Sequence, residues 1–550
     1  MSSYFIGIDV GTGSARAGLF DEQGTMLAVA KKAIRMWREE GNIVEQSSDD
    51  IWQAVCECTN SVLKESAIEP AAVKGIGFDA TCSLVVLDPK GTPLPVGPSD
   101  DPERNVIVWM DHRAVGQANR INAGHYDVLK YVGGTISPEM ETPKLLWLKE
   151  KRPDVFSAAG HFFDLADFLS WRATGSEARS VCTVTCKWTY LAHEKKWDGD
   201  YFRSIGLGEL ALNDFSRIGS EVVDIATPLG DGLTEQAAAE LGLVAGTPVG
   251  ASLIDAHCGG VGTFAGRLPD GSTLEPDRQM ALIMGTSACA MTLTSEPSFV
   301  DGVWGPYHGA MVPGYWLLEG GQSAYGAALD YLIALHPAYD EMKTMADEAH
   351  EPILSLLEKR AIALAGSMDK VAYLARDIHV VPEFLGNRAP YADPEASAVI
   401  SGLTLDNSQA NLLRLYVAGL CGLCYGSLQI VEAIKAEGVE LETLVLSGGA
   451  AQSALFRHIL ADITGLRVAL PSAAEPVLLG GAIIGAVASG QYGDLVSGAR
   501  SMSSIKEMIE PNFDVRSDLH IAKFEAFRTL QSCNRSIRET MKTCRYDLDD

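Results

Sequence analysis

Near the N-terminus, short apolar runs alternate with tight polar turns. Tyr4–Val10 predicts a strand that carries an aspartate near its end, and Gly11-Thr12-Gly13-Ser14 predicts a turn. Residues 16–20 predict a second strand, and residues 25–30 a third after the turn Asp21-Glu22-Gln23-Gly24. The glycine turn is too short for a crossover helix, so these strands read as a meander. Residues 49–64 show helical spacing behind a Ser/Asp cap, and residues 73–78 and 83–87 return to strand patterns. This order predicts a mixed sheet with helices on both faces.

A related pattern returns later. Residues 248–253 are strand-like and run into Asp255-Ala256-His257-Cys258-Gly259-Gly260-Val261-Gly262. Residues 266–279 are polar, carry Pro and Gly, and read as a crossing segment between domains. Residues 280–285 form a strand, Gly285-Thr286-Ser287 a turn, and residues 288–293 a second strand. This weak echo of residues 4–20 fits duplication of one α/β domain. A long helix is expected over 412–437, a strand over 444–446 entering Ser447-Gly448-Gly449-Ala450, and a Gly/Ala-rich helix over 477–489. The expected organisation is one domain over 1–265, the crossing segment, a second domain over 280–490, and a C-terminal helical extension over 491–550.

Composition narrows the function classes. A length of 550 residues favours more than one domain. Lys plus Arg is 44 against 71 Asp plus Glu, a net charge of −27, which disfavours nucleic acid or an anionic membrane surface as partner. No uninterrupted apolar run reaches the ~18 residues of a transmembrane helix, and Met1 to Gly7 lacks the pattern of a signal peptide. The 11 cysteines are odd in number and irregularly spaced, and Cys421-x-x-Cys424 has no second pair to complete a zinc site. A reduced, cytoplasmic compartment is expected. The 54 glycines cluster beside Asp, Thr and Ser, where backbone turns sharply or approaches a ligand.

Those clusters carry the candidate chemistry. In Asp9-Val10-Gly11-Thr12-Gly13-Ser14-Ala15-Arg16, an acid at a strand end can hold a metal ion or its waters. Gly11 and Gly13 let N–H groups face an anion, and Thr12 and Arg16 add donors. The same residues also suit a plain hairpin turn. Gly285-Thr286-Ser287 is a second such turn. Ser447-Gly448-Gly449-Ala450-Ala451-Gln452-Ser453, at a strand-to-helix junction, suits a nucleotide through free helix N–H groups. Asp255, between an apolar strand and a glycine run, can accept a hydroxyl proton or cap a helix. His257 reads as structural.

Taken in order, these residues resemble the FGGY carbohydrate kinases over about residues 4–490. Asp9 to Arg16 resembles the family's first phosphate motif, D-x-G-T-x-x-x-R. Asp255 stands at its catalytic aspartate, Gly285-Thr286-Ser287 at its second phosphate loop, and Ser447 to Ser453 at its adenosine motif. Trp109-Met110-Asp111-His112-Arg113 resembles its W-x-D-x-R element near the sugar, and Gly386-Asn387-Arg388-Ala389-Pro390-Tyr391-Ala392-Asp393 its G-x-R-x-P-x-x-D signature. The resemblance implies an α/β fold of two ribonuclease H-like (actin-like ATPase) domains, each a mixed five-stranded sheet flanked by helices, around a central cleft.

Substrate choice is narrower. Xylulose kinases carry Met-His, and glycerol kinases Arg-Glu, where this chain has Asp79-Ala80-Thr81-Cys82-Ser83-Leu84-Val85. Thr81 to Val85 looks like the T-C-S-L-V element of the D-ribulokinase branch, and Lys187 and Glu319 resemble sugar-contacting positions of ribulokinases. The resemblance implies ATP-dependent phosphorylation of the C5 hydroxyl of a ketopentose, D-ribulose first. L-Ribulose, xylulose, a pentitol, or an actin-like ATPase without sugar kinase activity are the alternatives. The implied roles are Asp255 as base and Asp9 with Asp255 around Mg²⁺ through water. Gly11, Thr12, Gly13, Arg16, Gly285, Thr286, Ser287, Gly326, Gly448, Gly449, Ala450 and Ser453 would bind ATP. Thr81, Cys82, Ser83, Trp109, Asp111, Lys187, Glu319 and Asp255 would shape the sugar pocket. Sugar and ATP are the implied partners, and a homodimer is left open.

Overall fold

The computed structural model describes residues 3–543. The expected meander is β1 (Tyr4–Val10), β2 (Ser14–Asp21) and β3 (Met26–Ala33). Helix α1 (Ser48–Ser66), capped by Ser47 accepting from the Asp50 N–H, leads into β4 (Val73–Ala80). Much later come α2 (Val181–Trp188), β5 (Val249–Ile254) and α3 (Asp255–Val261). The sheet order is β5-β4-β1-β2-β3, with β1 antiparallel to β2 and parallel to β4. β1, β4 and β5 are buried nearly end to end, as parallel strands covered on both faces must be.

The strand expected over 83–87 forms as Leu84–Leu87 but leaves this sheet. The Thr81 N–H still bonds to the Val10 carbonyl at 3.0 Å, and the Ser83 N–H then turns back onto the Thr81 carbonyl at 2.8 Å. That turn sends the strand into a separate sheet, paired with His161–Asp164 and Val106–Ile107.

The second lobe repeats the plan. β6 (Gln279–Met284), β7 (Ala288–Thr294), β8 (Trp304–His308), β9 (Trp316–Gln322), β10 (Thr443–Gly448), β11 (Arg467–Pro471) and β12 (Ile505–Ile509) form one sheet. Its order is β8-β9-β7-β6-β10-β11-β12. The run β11-β10-β6-β7-β9 matches β5-β4-β1-β2-β3 in order and strand direction, so the faint sequence echo is a topological duplication. β8 and β12 lengthen the sheet beyond the five strands expected, one at each edge.

The long helix α4 (Gln409–Ala436) runs through the second lobe and is followed by α5 (Ala454–Thr464) and α6 (Pro476–Ala488). α4 is long and apolar enough to cross a membrane, but 83% of its most apolar stretch is buried inside the fold. Beyond it, α7 (Leu495–Met502) and α8 (Ile521–Lys542) agree with a helical C-terminal segment. β12 does not. It is a short strand broken by Lys506 and Glu507, too brief to show a period, and it pairs with β11. Residues 544–550 of the expected extension lie outside the described residues.

The lobes exchange helices. α6, from the second lobe, lies on β1 and β4 of the first. Glycines make that approach possible. A β-carbon at Gly7 would stand 1.8 Å from the Leu478 carbonyl oxygen, at Gly75 2.0 Å from that of Gly485, and at Gly77 2.1 Å from that of Gly481. In return α3 packs on α6 and reaches β6 and β7, and a β-carbon at Gly480 would stand 2.0 Å from the Cys258 oxygen. One apolar core therefore runs across the junction, including Leu253, Ile254, Val261, Leu478 and Ile483.

Gly77→Ala should lower stability by about 1–3 kcal/mol or more, because backbone on both sides resists the methyl. Gly116→Ala, with nothing within 4 Å of its β-carbon, should not. Thermal melts of the two variants beside the parent check this.

Candidate active site

Three carboxylates stand at the C-terminal ends of adjacent parallel strands. Asp9 is the last residue but one of β1, Asp79 faces it in register on β4, and Asp255 follows β5 as the first residue of α3. Ligands of open α/β sheets collect at such strand ends. Here the strands open into a cleft of about 320 Å³ between the lobes. Asp9, Gly11, Thr12, Arg16, Thr81, Cys82, Trp109, Lys187, Asp255, Ser287 and Glu319 line it, all drawn from the expected set.

The phosphate-like turn is tightly wired. Arg16 Nε donates to Asp9 Oδ2 at 2.6 Å, and its Nη1 donates to Glu475 at 2.7 Å, just before α6. Burial works against the Arg16 charge, but Asp9 and Glu475 outweigh it and hold its pKa above the ordinary value. Trp109 Nε1 donates to Thr12 Oγ1 at 2.9 Å, and its backbone N–H donates to Ser83 Oγ at 3.1 Å. Gln46 Nε2 donates to the Thr12 carbonyl at 2.7 Å.

The acids differ by environment. Burial, with the neighbouring Asp9 charge second, pushes Asp255 up to about 6. The same two causes raise Asp79 well above the carboxylate range; it is fully buried, and neither of its oxygens has a hydrogen-bond partner. Glu319 goes the other way. Burial alone would raise it, but the bond from His257 and the charges of Lys187 and Arg388 bring it down to about 2. Lys187 Nζ and the Arg388 guanidinium both lie over the Trp304 ring, at 5.4 and 5.5 Å from its centre.

Ten expected positions do not line the cleft, and three of these lie in the first lobe. Asp111 is fully buried, accepting from the Val44 N–H at 2.6 Å and from Arg113 Nη2 at 2.7 Å, so its carboxylate pins the loop that carries Trp109. Ser83 is buried one layer back, against Thr81 Oγ1 at 3.1 Å and the Trp109 N–H. Gly13 is exposed at the tip of its turn.

The remaining expected positions gather around the end of β6. The Gly285 N–H closes the turn on the Ser287 carbonyl at 2.8 Å. The Tyr325 and Gly326 N–H groups bond to the Thr286 and Gly285 carbonyls at 2.8 and 3.1 Å. Gly448 sits at φ +89 with its Cα edge against Met284, where any side chain would meet the backbone 2.1 Å away. Gly449 and Ala450 begin a short helical turn, and Ser453 caps α5 by accepting from the Phe456 N–H at 3.0 Å while donating to Glu358 at 2.7 Å. Ser287 alone of this group lines the cleft proper.

Sequence reasoning assigned no role to Glu139, Cys289, Trp304 or Arg388, which also line the cleft. Arg388 was visible inside the G-x-R-x-P-x-x-D string. Glu139 and Trp304 sit in stretches with no motif and reach the site only through tertiary packing.

These features define a carbohydrate kinase. The family model for the N-terminal domain of the FGGY family of carbohydrate kinases matches residues 4–262, and the model for its C-terminal domain matches residues 280–489. The chain belongs to this family, whose members transfer phosphate from ATP to an alcohol group. It is 44% identical over 534 residues to an FGGY carbohydrate kinase domain-containing protein of Homo sapiens, covering 96% of each chain. It is 38% identical over 524 residues to a D-ribulokinase of Saccharomyces cerevisiae, covering 89% of this chain and 72% of that protein. A xylulose kinase structure from Rhodospirillum rubrum shares the fold, with a TM-score of 0.80 at 22% identity over 97% of this chain and 99% of that one.

Trp109→Phe keeps an aromatic ring but loses the indole N–H and its bond to Thr12. Loss of one such bond is worth about 0.5–1.5 kcal/mol, so kcat/KM should fall roughly three- to tenfold. Steady-state kinetics of the variant check this.

Proposed function

We infer that the protein phosphorylates D-ribulose at C5 to give D-ribulose 5-phosphate. The observation that carries this reading is that Thr81, Cys82, Lys187 and Glu319 share one cleft with Asp255. The first two belong to the T-C-S-L-V string of the D-ribulokinase branch, and the identity to a D-ribulokinase supports the same choice.

The chemistry is in-line transfer. Asp255 accepts the proton of the C5 hydroxyl as that oxygen attacks the γ-phosphorus, and the bond to the bridging oxygen breaks to release ADP. Thr12, Arg16 and Thr286, with the N–H groups around Gly11, Gly13, Gly285 and Ser287, hold the phosphates. Gly326, Gly448, Gly449, Ala450 and Ser453 line the nucleotide side. Arg16, now shared between Asp9 and Glu475, exchanges a carboxylate for a phosphate oxygen. Thr81, Cys82, Trp109, Lys187 and Glu319 orient the sugar, so much of the rate comes from positioning. Asp9 and Asp255 suit Mg²⁺, being hard oxygen donors beside the unpartnered oxygens of Asp79. When bound, the ion neutralises phosphate charge. Closure of the lobes excludes water, which otherwise competes as acceptor.

Asp255→Asn should keep the fold and sugar binding and lose about 10²–10⁴ in kcat, the range for a general base. Near-normal turnover would remove Asp255 from that role. A panel of D-ribulose, L-ribulose, xylulose and pentitols, read by ADP release, should give its highest kcat/KM with D-ribulose. A clear preference for xylulose would overturn the substrate.

A further inference from the structure

Behind the sugar side of the cleft, Glu319 ends a hydrogen-bonded chain whose other two members, Cys182 and His257, have no part in the mechanism. Cys182, on α2, places Sγ 3.1 Å from His257 Nδ1. His257, on α3, places Nε2 3.3 Å from Glu319 Oε2, and Glu319 sits on β9. Cys182 and His257 are buried, at 0% and 1% exposure, while Glu319 reaches the cleft. The Ile254 N–H, at 3.5 Å, faces the same sulfur and fixes it from the other side.

We propose that Cys182 and His257 are positioning residues that hold the Glu319 carboxylate in the orientation that receives the sugar hydroxyls. The proposal rests on the reading of Glu319 as a sugar contact.

An ionised carboxylate only accepts, so Nε2 must carry a hydrogen for the contact to Glu319 to be favourable. Cys182 arranges this in either protonation state. As a thiol it donates to Nδ1, which leaves the ring hydrogen on Nε2. As a thiolate it accepts from Nδ1–H, and the imidazolium still carries Nε2–H. The tautomer with its only hydrogen on Nδ1 would turn a lone pair toward the carboxylate, and nothing else in the chain favours it. With Oε2 engaged by His257, Oε1 is left for a ligand in the cleft.

The chain also links lobes. α2 belongs to the first lobe and carries Lys187 five residues beyond Cys182, while Glu319 belongs to the second. One helix thus presents Lys187 directly and orients Glu319 through His257, fixing a cation and an acceptor of the sugar site relative to each other. A helical residue whose role was only to fill space would not need polar atoms at both contacts.

A metal is the rival occupant. The sulfurs of Cys182 and Cys186 and a His257 nitrogen lie within 4.8 Å of one another. Among the described residues no fourth ligand of these types joins them, whereas structural zinc takes four.

The test uses the full-length enzyme with Cys182→Ala, Cys182→Ser, His257→Leu, His257→Gln and Glu319→Gln, each checked for its melting temperature. Cys182→Ala and His257→Leu should raise KM for the sugar about tenfold, the scale of a lost charge-assisted bond. KM for ATP should be unchanged and kcat should stay within about twofold. His257→Gln, whose amide nitrogen can reach toward Glu319 in place of Nε2, should restore most of the sugar affinity. If His257→Leu does not fold, the Gln, Ala and Ser variants carry the comparison. If Glu319→Gln alone raises the sugar KM, the positioning role is wrong and the sugar contact stands. If Glu319→Gln leaves it unchanged, the sugar contact itself is wrong and the proposal falls with it. One equivalent of zinc or copper per chain by elemental analysis would also overturn it, because Nδ1 and Sγ would then be ligands.

Discussion

The arrangement depends on the near-contact of two backbones. α6 lies directly on β1 and β4 because Gly7, Gly75 and Gly77 leave the sheet bare where Gly481 and Gly485 leave the helix bare. Leu478, Leu479, Ile483 and Ile484 are then fully or almost fully buried. At about 1.5–3 kcal/mol per such side chain, an upper bound, this packing sets how the lobes meet. The Arg16–Glu475 pair spans the same junction, but its side chains are 27% and 35% exposed. Exposed pairs are worth about 0–1 kcal/mol, so this one orients groups while the packing decides the geometry. Asp255 heads the reciprocal helix α3 and Glu475 immediately precedes α6, so the cleft's charges inherit their places from the crossing.

Charge is managed locally within an acidic molecule. The chain carries −27 overall, yet Arg16, Lys187 and Arg388 all line one cleft. Asp9, Glu139, Asp255 and Glu319 line it too, so an anion there is met by individual donors rather than by a net positive field. The glycine turns add N–H donors that carry no net charge, which suits a site where cations are few.

Much of this was legible in the chain. Strands at the two glycine turns were readable because a tight turn between apolar runs leaves little choice of topology. Asp9, Thr12, Arg16 and Asp255 were readable because their spacing reflects contacts within one or two local turns. Glu139 and Trp304 were not, since a turn and the start of an edge strand bring them to the cleft only through distant packing. Asp111 was misplaced for the opposite reason: it lies inside a site motif, but its carboxylate faces the Val44 N–H and Arg113 rather than the cleft. β12 escaped notice because five residues at a sheet edge, two of them charged, show no clear period. The strand at Leu84–Leu87 was legible but its sheet was not, because direction after the Thr81 turn is a tertiary fact.

The crossing of α6 also has a temporal meaning. During synthesis β1 leaves the ribosome early, while the helix that covers its glycine face begins at Pro476. Until then the first sheet presents an uncovered, side-chain-poor face, and its closure spans a sequence separation of more than 450 residues between Gly7 and Leu478. Such non-local closure is slow, since chain entropy must be lost before the contact is gained. The glycine face of the first sheet is therefore covered only after nearly the whole polypeptide exists.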